Sequence, residues 1–515
     1  MNDVGQSDSP VVPAKPANKA VGGDAQARTV AESVEERGLA KGNAVGTTRP
    51  GRSAGTGVSP GLSRVREVAA RDKKARFTAL LHHMTPELLQ ETYRGLNPKA
   101  STGVDGVTWS SYGQELETNL QDLLRRVHSG AYRVKPSRRV YIPKADGRQR
   151  PLGVASLEDK IVQGALVKVL NAIYEEDFLG FSYGYRPGRG PHDALDALTV
   201  ALESKQVNWV LDADLADFFT TLDHEWLMKF IEHRIVDPRV HRLIRKCLKA
   251  GVIEGGEWSE AEAGTPQGAT VSPLLANVYL HYVFDLWADR WRKREARGEV
   301  IVVRFADDFI VGFQHRQEAE RFRAALAARL SEFGLALQAE KTRLIEFGRL
   351  AAQNRAARSQ GKPETFDFLG FTHICGRTRR GRYRVKRVTV KKRMRAKLKE
   401  VRDQLQRRMH QALPEVGRWL ASVVRGHYGY YAVPGNQRAV NGFRQRVTRY
   451  WWRALSRRSQ RGRVPWQRMY RISDRWLPTA RVCHPYPQQR FRARHPRQEP
   501  SAVVPLAGIC AGGRP

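Results

Sequence analysis

Cysteine is scarce in this 515-residue sequence: Cys247, Cys375, Cys483 and Cys510 are scattered, and no two form a C-x-x-C pair. That argues against a disulfide framework or a zinc ribbon and fits a reducing compartment. Long hydrophobic runs are also missing, since no apolar stretch approaches the roughly 18 residues of a membrane span. The N-terminus is polar and carries no signal-peptide core, so the cytoplasm is the expected location. Residues 1–62 lack aromatics to bury and are rich in Gly, Ala, Ser, Pro and Thr. Such a stretch cannot build a core and is expected to be a disordered leader.

Positive charge is what the sequence holds in excess. Lys and Arg number 88 against 52 Asp and Glu, a net charge of +36. A polyanion is the expected partner, nucleic acid before an anionic membrane surface. The excess is unevenly placed. From Arg377 to Pro515 there are 36 Lys and Arg against 5 Asp and Glu, so this segment carries +31 of the total.

The acids are few but patterned. Val300–Phe313 reads V-I-V-V-R-F-A-D-D-F-I-V-G-F, two β-branched runs around Asp307 and Asp308. The period predicts a hairpin with both acids at or near its turn. Carboxylates pinned on rigid strands suit a hard divalent cation, although a solvated turn shows the same pattern. A second stretch, W-V-L-D-A-D-L-A-D-F-F from Trp209 to Phe219, predicts a strand with Asp212 and Asp214 on one face. An acid on one strand and an acid pair on a hairpin form, in outline, a two-metal site. Two Mg²⁺ ions held there, with Mn²⁺ the alternative, would clamp the attacking and leaving oxygens of an in-line phosphoryl transfer.

Other blocks supply what such chemistry needs. R-R-V-Y-I-P-K-A-D-G-R-Q-R-P-L-G at 138–153 predicts a hairpin turning at Asp146-Gly147, flanked by Lys144 and Arg150. Both are candidates for a triphosphate, and both are also ordinary hairpin charges. Ser156–Asp159 has the form of a capping box opening a helix striped by Ile161, Leu166, Leu170 and Ile173. G-T-P-Q-G-A-T-V-S-P-L-L-A-N at 264–277 is a loop running into a helix, with Ser272 as expected N-cap; glycines around Gln267 permit a close ligand approach. Phe366–Phe371 is expected to be one short strand. In the basic segment, Met394, Leu398, Val401, Leu405 and Met409 form one apolar stripe, and Val440, Phe443, Val447, Trp451 and Leu455 another. Tyr428, Tyr430, Tyr431, Trp452, Trp466, Tyr470 and Trp476 lie among arginines, a composition shared by nucleic-acid surfaces and by helical cores.

From about Arg76 to Pro487 the chain closely resembles bacterial group II intron-encoded reverse transcriptases with maturase activity. The resemblance rests on Y-I-P-K…R-P-L-G, the Asp214–Phe219 block, G-T-P-Q-G…S-P-L-L-A-N, F-A-D-D, Lys341-Thr342 and F-D-F-L-G-F, in that order. It implies an α+β right-hand polymerase: fingers over 63–210, a palm with an antiparallel sheet over 211–376, and a basic helical thumb and maturase domain over 377–487, with 488–515 a tail. It implies Asp214, Asp307 and Asp308 as catalytic metal ligands. Lys144, Arg150, Phe219, Gln267 and Gly268 would face the dNTP, with Phe219 rejecting a 2′-hydroxyl; Asp212 and Asp217 would be structural. Lys341, Arg425, Tyr428, Arg446, Arg449 and Arg453 are the expected nucleic-acid contacts. The implied partners are intron RNA, an RNA template with a DNA primer, target DNA and dNTPs, and no membrane.

The chain departs from that pattern at three positions. Phe305 stands where the family usually has Tyr, Ala269 where a second Gly is common, and Asp217 where a small Gly is common. The family's frequent endonuclease, with its His- and Cys-rich pattern, is not expected, because 28 residues follow Pro487. Competing readings are a maturase whose polymerase has decayed and a relative recruited to host defence. The intact acids argue against the first.

Overall fold

Among the described residues, the β-branched runs form three small sheets, and the striped helices pack around the cores they share. The computed structural model describes residues 60–143, 149–254, 257–259, 264, 268–458 and 464–494. Lys144, Gln267 and residues 1–59 of the expected leader lie outside the described residues. Pro60–Leu62, the rest of that leader, opens the helix Pro60–Arg71.

The first sheet has the order β2-β1-β4-β5, with β1 Ser137–Pro143, β2 Gln149–Val154, β4 Val252–Glu254 and β5 Glu257–Ser259. β1 and β2 form the predicted hairpin. The second, with the order β6-β7-β3-β8, is fully antiparallel; it comprises β3 Trp209–Asp214, β6 Val300–Phe305, β7 Asp308–Phe313 and β8 Arg343–Glu346. The third joins β9 Phe366–Phe368, β10 Phe371–Arg377 and β11 Tyr383–Thr389. F-D-F-L-G-F is therefore two strands and their turn rather than one strand, because Leu369 and Gly370 take left-handed φ values of 48° and 79°.

The four-stranded antiparallel sheet is covered on both faces, and pleating sorts its residues between two cores. Leu211, Ala213, Val302, Phe309 and Val311 face one core, with the helix Leu157–Asp177 and the helix Arg316–Ser331. Val210, Ile301, Val303, Ile310 and Ile345 face the other, with the helix Pro191–Ser204 and the C-terminal helices. The C-terminal helices are Lys391–Arg407, Leu413–Tyr431, Gln437–Ser456, Trp466–Trp476 and Pro487–Arg494. Both predicted stripes bury their centres: Leu398, Val401 and Leu405 on one, and all five residues from Val440 to Leu455 on the other.

Several local expectations change. The segment from Arg377 is not all helical, since β11 lies within it. Residues 488–494 of the expected tail are ordered. With Pro487 they form a helix packed on Pro191–Ser204, where Arg490 pairs with Asp196, which also binds Arg387 at 2.8 Å. The Ser156 capping box does not form, because Asp159 is turned to the Tyr132 hydroxyl and to the Lys135 amide at 3.2 Å. The later helix starts at Ser272 with Val271 as N-cap, and it passes through a π turn at His281–Asp285 before Leu286–Arg294. No helix among the described residues is long and apolar enough to cross a membrane.

Candidate active site

β3 ends and β7 begins at the same edge of the four-stranded sheet, and each does so on an acid. Asp214 is the direct cross-strand partner of Asp308. Opposed residues on antiparallel strands share a face with Cβ atoms about 5 Å apart. β6 and β7 are joined by the two-residue turn Ala306-Asp307, closed by the pair Phe305 and Asp308. Ala306 holds φ at +58°, a left-handed value at the first central position, and its small side chain keeps the strain modest. Asp307 is 9% exposed. The hairpin and the acid-bearing strand thus share one edge, with Asp214 opposite Asp308.

The Lys341 ammonium lies 2.7 Å from Asp214 Oδ2. Its loop is tied to that strand end, since Gln338 N donates to Asp214 O at 2.8 Å and Lys341 N to Gln338 O at 3.1 Å. Lys341 was expected on nucleic acid; here it is seated on an acid of the site. Asp212 shares a face with Asp214 and faces Arg343 at 3.3 Å. Burial pushes its carboxyl up to about 6, against the pull of Arg343.

Asp217 has φ +46° and opens the short helix Phe218–Thr221, its carbonyl accepting from the Thr220 hydroxyl at 2.8 Å. A left-handed position favours Gly and tolerates Asp, which accounts for that departure. Phe219 is 6% exposed, edge-on to Phe218 at a centroid distance of 5.3 Å. Gly268 has φ +126°, and a Cβ there would fall 2.0 Å from Gly153 O. Only glycine lets this loop lie against β2, the strand on which Arg150 pairs with Ile142.

Among the described residues, no three His, Cys, Asp or Glu side chains close into a ready-made metal cage. The donor set still fits Mg²⁺, which takes one or two carboxylates and completes its shell with water and substrate phosphates. The Lys341 ammonium already shows that the Asp214 carboxylate can hold a cation.

On the C-terminal helices, Arg425, Arg446, Arg449 and Arg453 are exposed. Tyr428 is not a surface contact: it is 4% exposed and its hydroxyl donates to Pro478 O at 3.3 Å. Tyr431 and Trp451 are also core, whereas Trp466 and Tyr470 are exposed and Trp452 stacks on Trp466 at 4.6 Å. Sequence reasoning passed over two residues. Gly184 abuts the Ala306 amide so closely that a Cβ would lie 2.3 Å from it, and Arg304 is buried beneath the turn. Neither carries a local signal, because both act on a turn distant in sequence or on the opposite face of the sheet.

An antiparallel sheet that gathers acids at a tight turn and a neighbouring strand end has the donor set for divalent-metal chemistry on a phosphate. The family model described as "Reverse transcriptase (RNA-dependent DNA polymerase)" matches residues 142–373. The chain is 35% identical over 356 residues to "Protein YkfC" of Escherichia coli, covering 62% of this chain and 88% of that protein. It is 32% identical over 222 residues to "Group II intron-encoded protein LtrA" of Lactococcus lactis, covering 43% of this chain and 37% of that protein. With "Nuclear intron maturase 3, mitochondrial" of Arabidopsis thaliana it shares 24% identity over 164 residues, 31% of this chain and 21% of that one. The chain belongs to the reverse transcriptase family, and its relatives include a group II intron-encoded protein and an intron maturase.

Proposed function

We propose that this chain extends a DNA primer along an RNA template at the edge bearing Asp214, Asp307 and Asp308, and that it also binds its parent group II intron RNA and assists its splicing. The register that sets Asp214 against Asp308, one residue from Asp307, is the observation that carries the reading. In this reading the four-stranded antiparallel sheet is the palm, the β1–β2 hairpin belongs to the fingers, and the helices from Lys391 form the thumb and maturase region. Mg²⁺ bound by the three carboxylates would neutralise the charge that develops on the transferring phosphoryl group. The chain's own residues do the remaining work. Lys144 and Arg150 hold the triphosphate, and Gln267 with Gly268 presents backbone to the nucleotide and template. Phe219 forms the floor under the sugar, and Lys341 holds the Asp214 carboxylate that would bind the metal. Arg425, Arg446, Arg449 and Arg453 take RNA phosphates, and the same basic surface serves target DNA. Primer extension on an RNA template with dNTPs, beside an Asp307→Ala control, tests the reading. Incorporation by the parent chain and none by the variant is expected. Failure of the parent chain to incorporate any dNTP would overturn it.

A further inference from the structure

Arg304 is 0% exposed and lies on the sheet face opposite the acids, since it pairs with Phe309 while Phe305 pairs with Asp308. A guanidinium has five N–H donors, and here every one is engaged. Nε donates to Asp285 Oδ1 at 2.7 Å, and Nη2 to Asp285 Oδ2 at 2.5 Å and to Ser182 Oγ at 2.7 Å. Nη1 donates to Asn277 Oδ1 at 3.0 Å and to Ala306 O at 2.9 Å. The last bond matters most, because that carbonyl belongs to the peptide linking Ala306 to Asp307.

The network closes on the turn from a second side. Asn277 Nδ2 donates to Gly184 O at 2.7 Å, and Gly184 stands against the Ala306 amide with no room for a Cβ. The Ser182 segment is itself laced to Arg304, with Tyr183 N donating to Arg304 O and Arg304 N to Phe181 O, both at 2.9 Å. Asp285 reaches the guanidinium from the π turn His281–Asp285, a rare helix irregularity that marks functional positions. Beside it, burial pushes His281 down to about 3, so the ring is neutral and does not compete as a second cation for Asp285.

A buried ion pair is commonly no more stabilising than apolar residues of the same volume, so stability does not explain this arrangement. A left-handed non-glycine turn persists only where its surroundings over-determine it. We infer that Arg304 is the positioning residue of the acid-bearing turn: with Asn277, Ser182 and Asp285 as its anchors, it fixes the Ala306–Asp307 peptide and thereby aims Asp307 and Asp308. This rests on the proposed polymerase reading.

The test is single-nucleotide addition by the full chain, with Arg304→Lys, Ser182→Ala and Gly184→Ala measured beside the parent chain and Asp307→Ala. Lysine keeps the charge but has three donors and no fork, so the Ala306 carbonyl loses its partner. Arg304→Lys is expected to lower kcat about 10²-fold, the cost of a roughly 1 Å misplacement. Primer–template affinity should stay within about twofold, and the Mg²⁺ concentration for half-maximal rate should rise. Ser182→Ala deletes one of five bonds and is expected to lower kcat about fivefold to tenfold, with Arg304 still in place. Gly184→Ala pushes the turn from the other side and should lose kcat as Arg304→Lys does. Should Arg304→Lys not fold, Ser182→Ala decides the matter alone. Parental kcat in Ser182→Ala, or a loss that merely tracks the unfolded fraction by circular dichroism, overturns the inference. Inactivity of the parent chain would instead overturn the polymerase reading.

Discussion

The acid-bearing edge of the four-stranded antiparallel sheet and the basic C-terminal helices do opposite things with charge. At the edge a few charges are fixed singly: Asp214 by its register with Asp308 and its pair with Lys341, and the turn by one bond from an arginine whose other four bonds anchor it. On the helices the charge is plural and replaceable, with Arg425, Arg446, Arg449 and Arg453 on exposed faces over a core of Val440, Phe443, Val447 and Trp451. The first arrangement depends on position, the second on sum. Chemistry on a phosphate fails when one carboxylate moves, whereas grip on a polyanion falls by increments as each cation is removed.

That contrast can be broken or sharpened by experiment. The largest effect should come from the acids. Asp214→Asn or Asp307→Ala is expected to lower the rate of dNTP incorporation about 10³-fold, while RNA affinity by filter binding stays unchanged. A parallel loss of RNA binding would mean that the two regions are not separable. Next, the triple variant Arg446→Gln, Arg449→Gln, Arg453→Gln should weaken RNA binding about 10²-fold at moderate salt and reduce the slope of log affinity against log salt by about 3. Its kcat at saturating template should match that of the parent, and a lower kcat would break the comparison from the other side.

Asp212 gives a smaller effect with a defined sign. Burial raises its folded pKa to about 6, above the unfolded carboxylate value, so it favours folding most when protonated and loses that contribution as pH rises through about 6. Asp212→Asn should therefore stabilise the chain at pH 7.5, on the order of 2 kcal/mol, with the gain fading toward pH 4. Urea unfolding at both pH values reads the difference, and a gain that does not depend on pH would contradict it. The smallest effect belongs to Tyr428→Phe. It removes the bond to Pro478 O and should cost about 1 kcal/mol of stability with no change in RNA affinity. Weaker RNA binding would return Tyr428 to the nucleic-acid surface.

Much of the site is legible in the sequence because its signals are local. The β-branched runs on either side of Ala306, Asp307 and Asp308 predict a hairpin with the acids at or near its turn, and β6 and β7 form it. The two apolar stripes place their helices because a 3.6-residue period sorts one face from the other. The aromatics among the arginines are not legible in this way. Tyr428 and Tyr470 read alike in sequence, yet one is buried under Pro478 and the other exposed, and only packing against a later segment separates them.

The sequence by itself determined the chemistry on offer, namely which acids lie on strands, where the positive charge accumulates and which faces are apolar, because each of these depends on neighbours within a turn or a strand. The tertiary structure alone decided the geometry. It set Asp214 opposite Asp308, brought Lys341 onto Asp214, returned the helix Pro487–Arg494 to Pro191–Ser204, and gathered Ser182, Asn277, Asp285 and Arg304 under one turn. These contacts join residues far apart along the chain, and their energies depend on desolvation and on the close fit of backbone to backbone. No pattern within a local window contains that information.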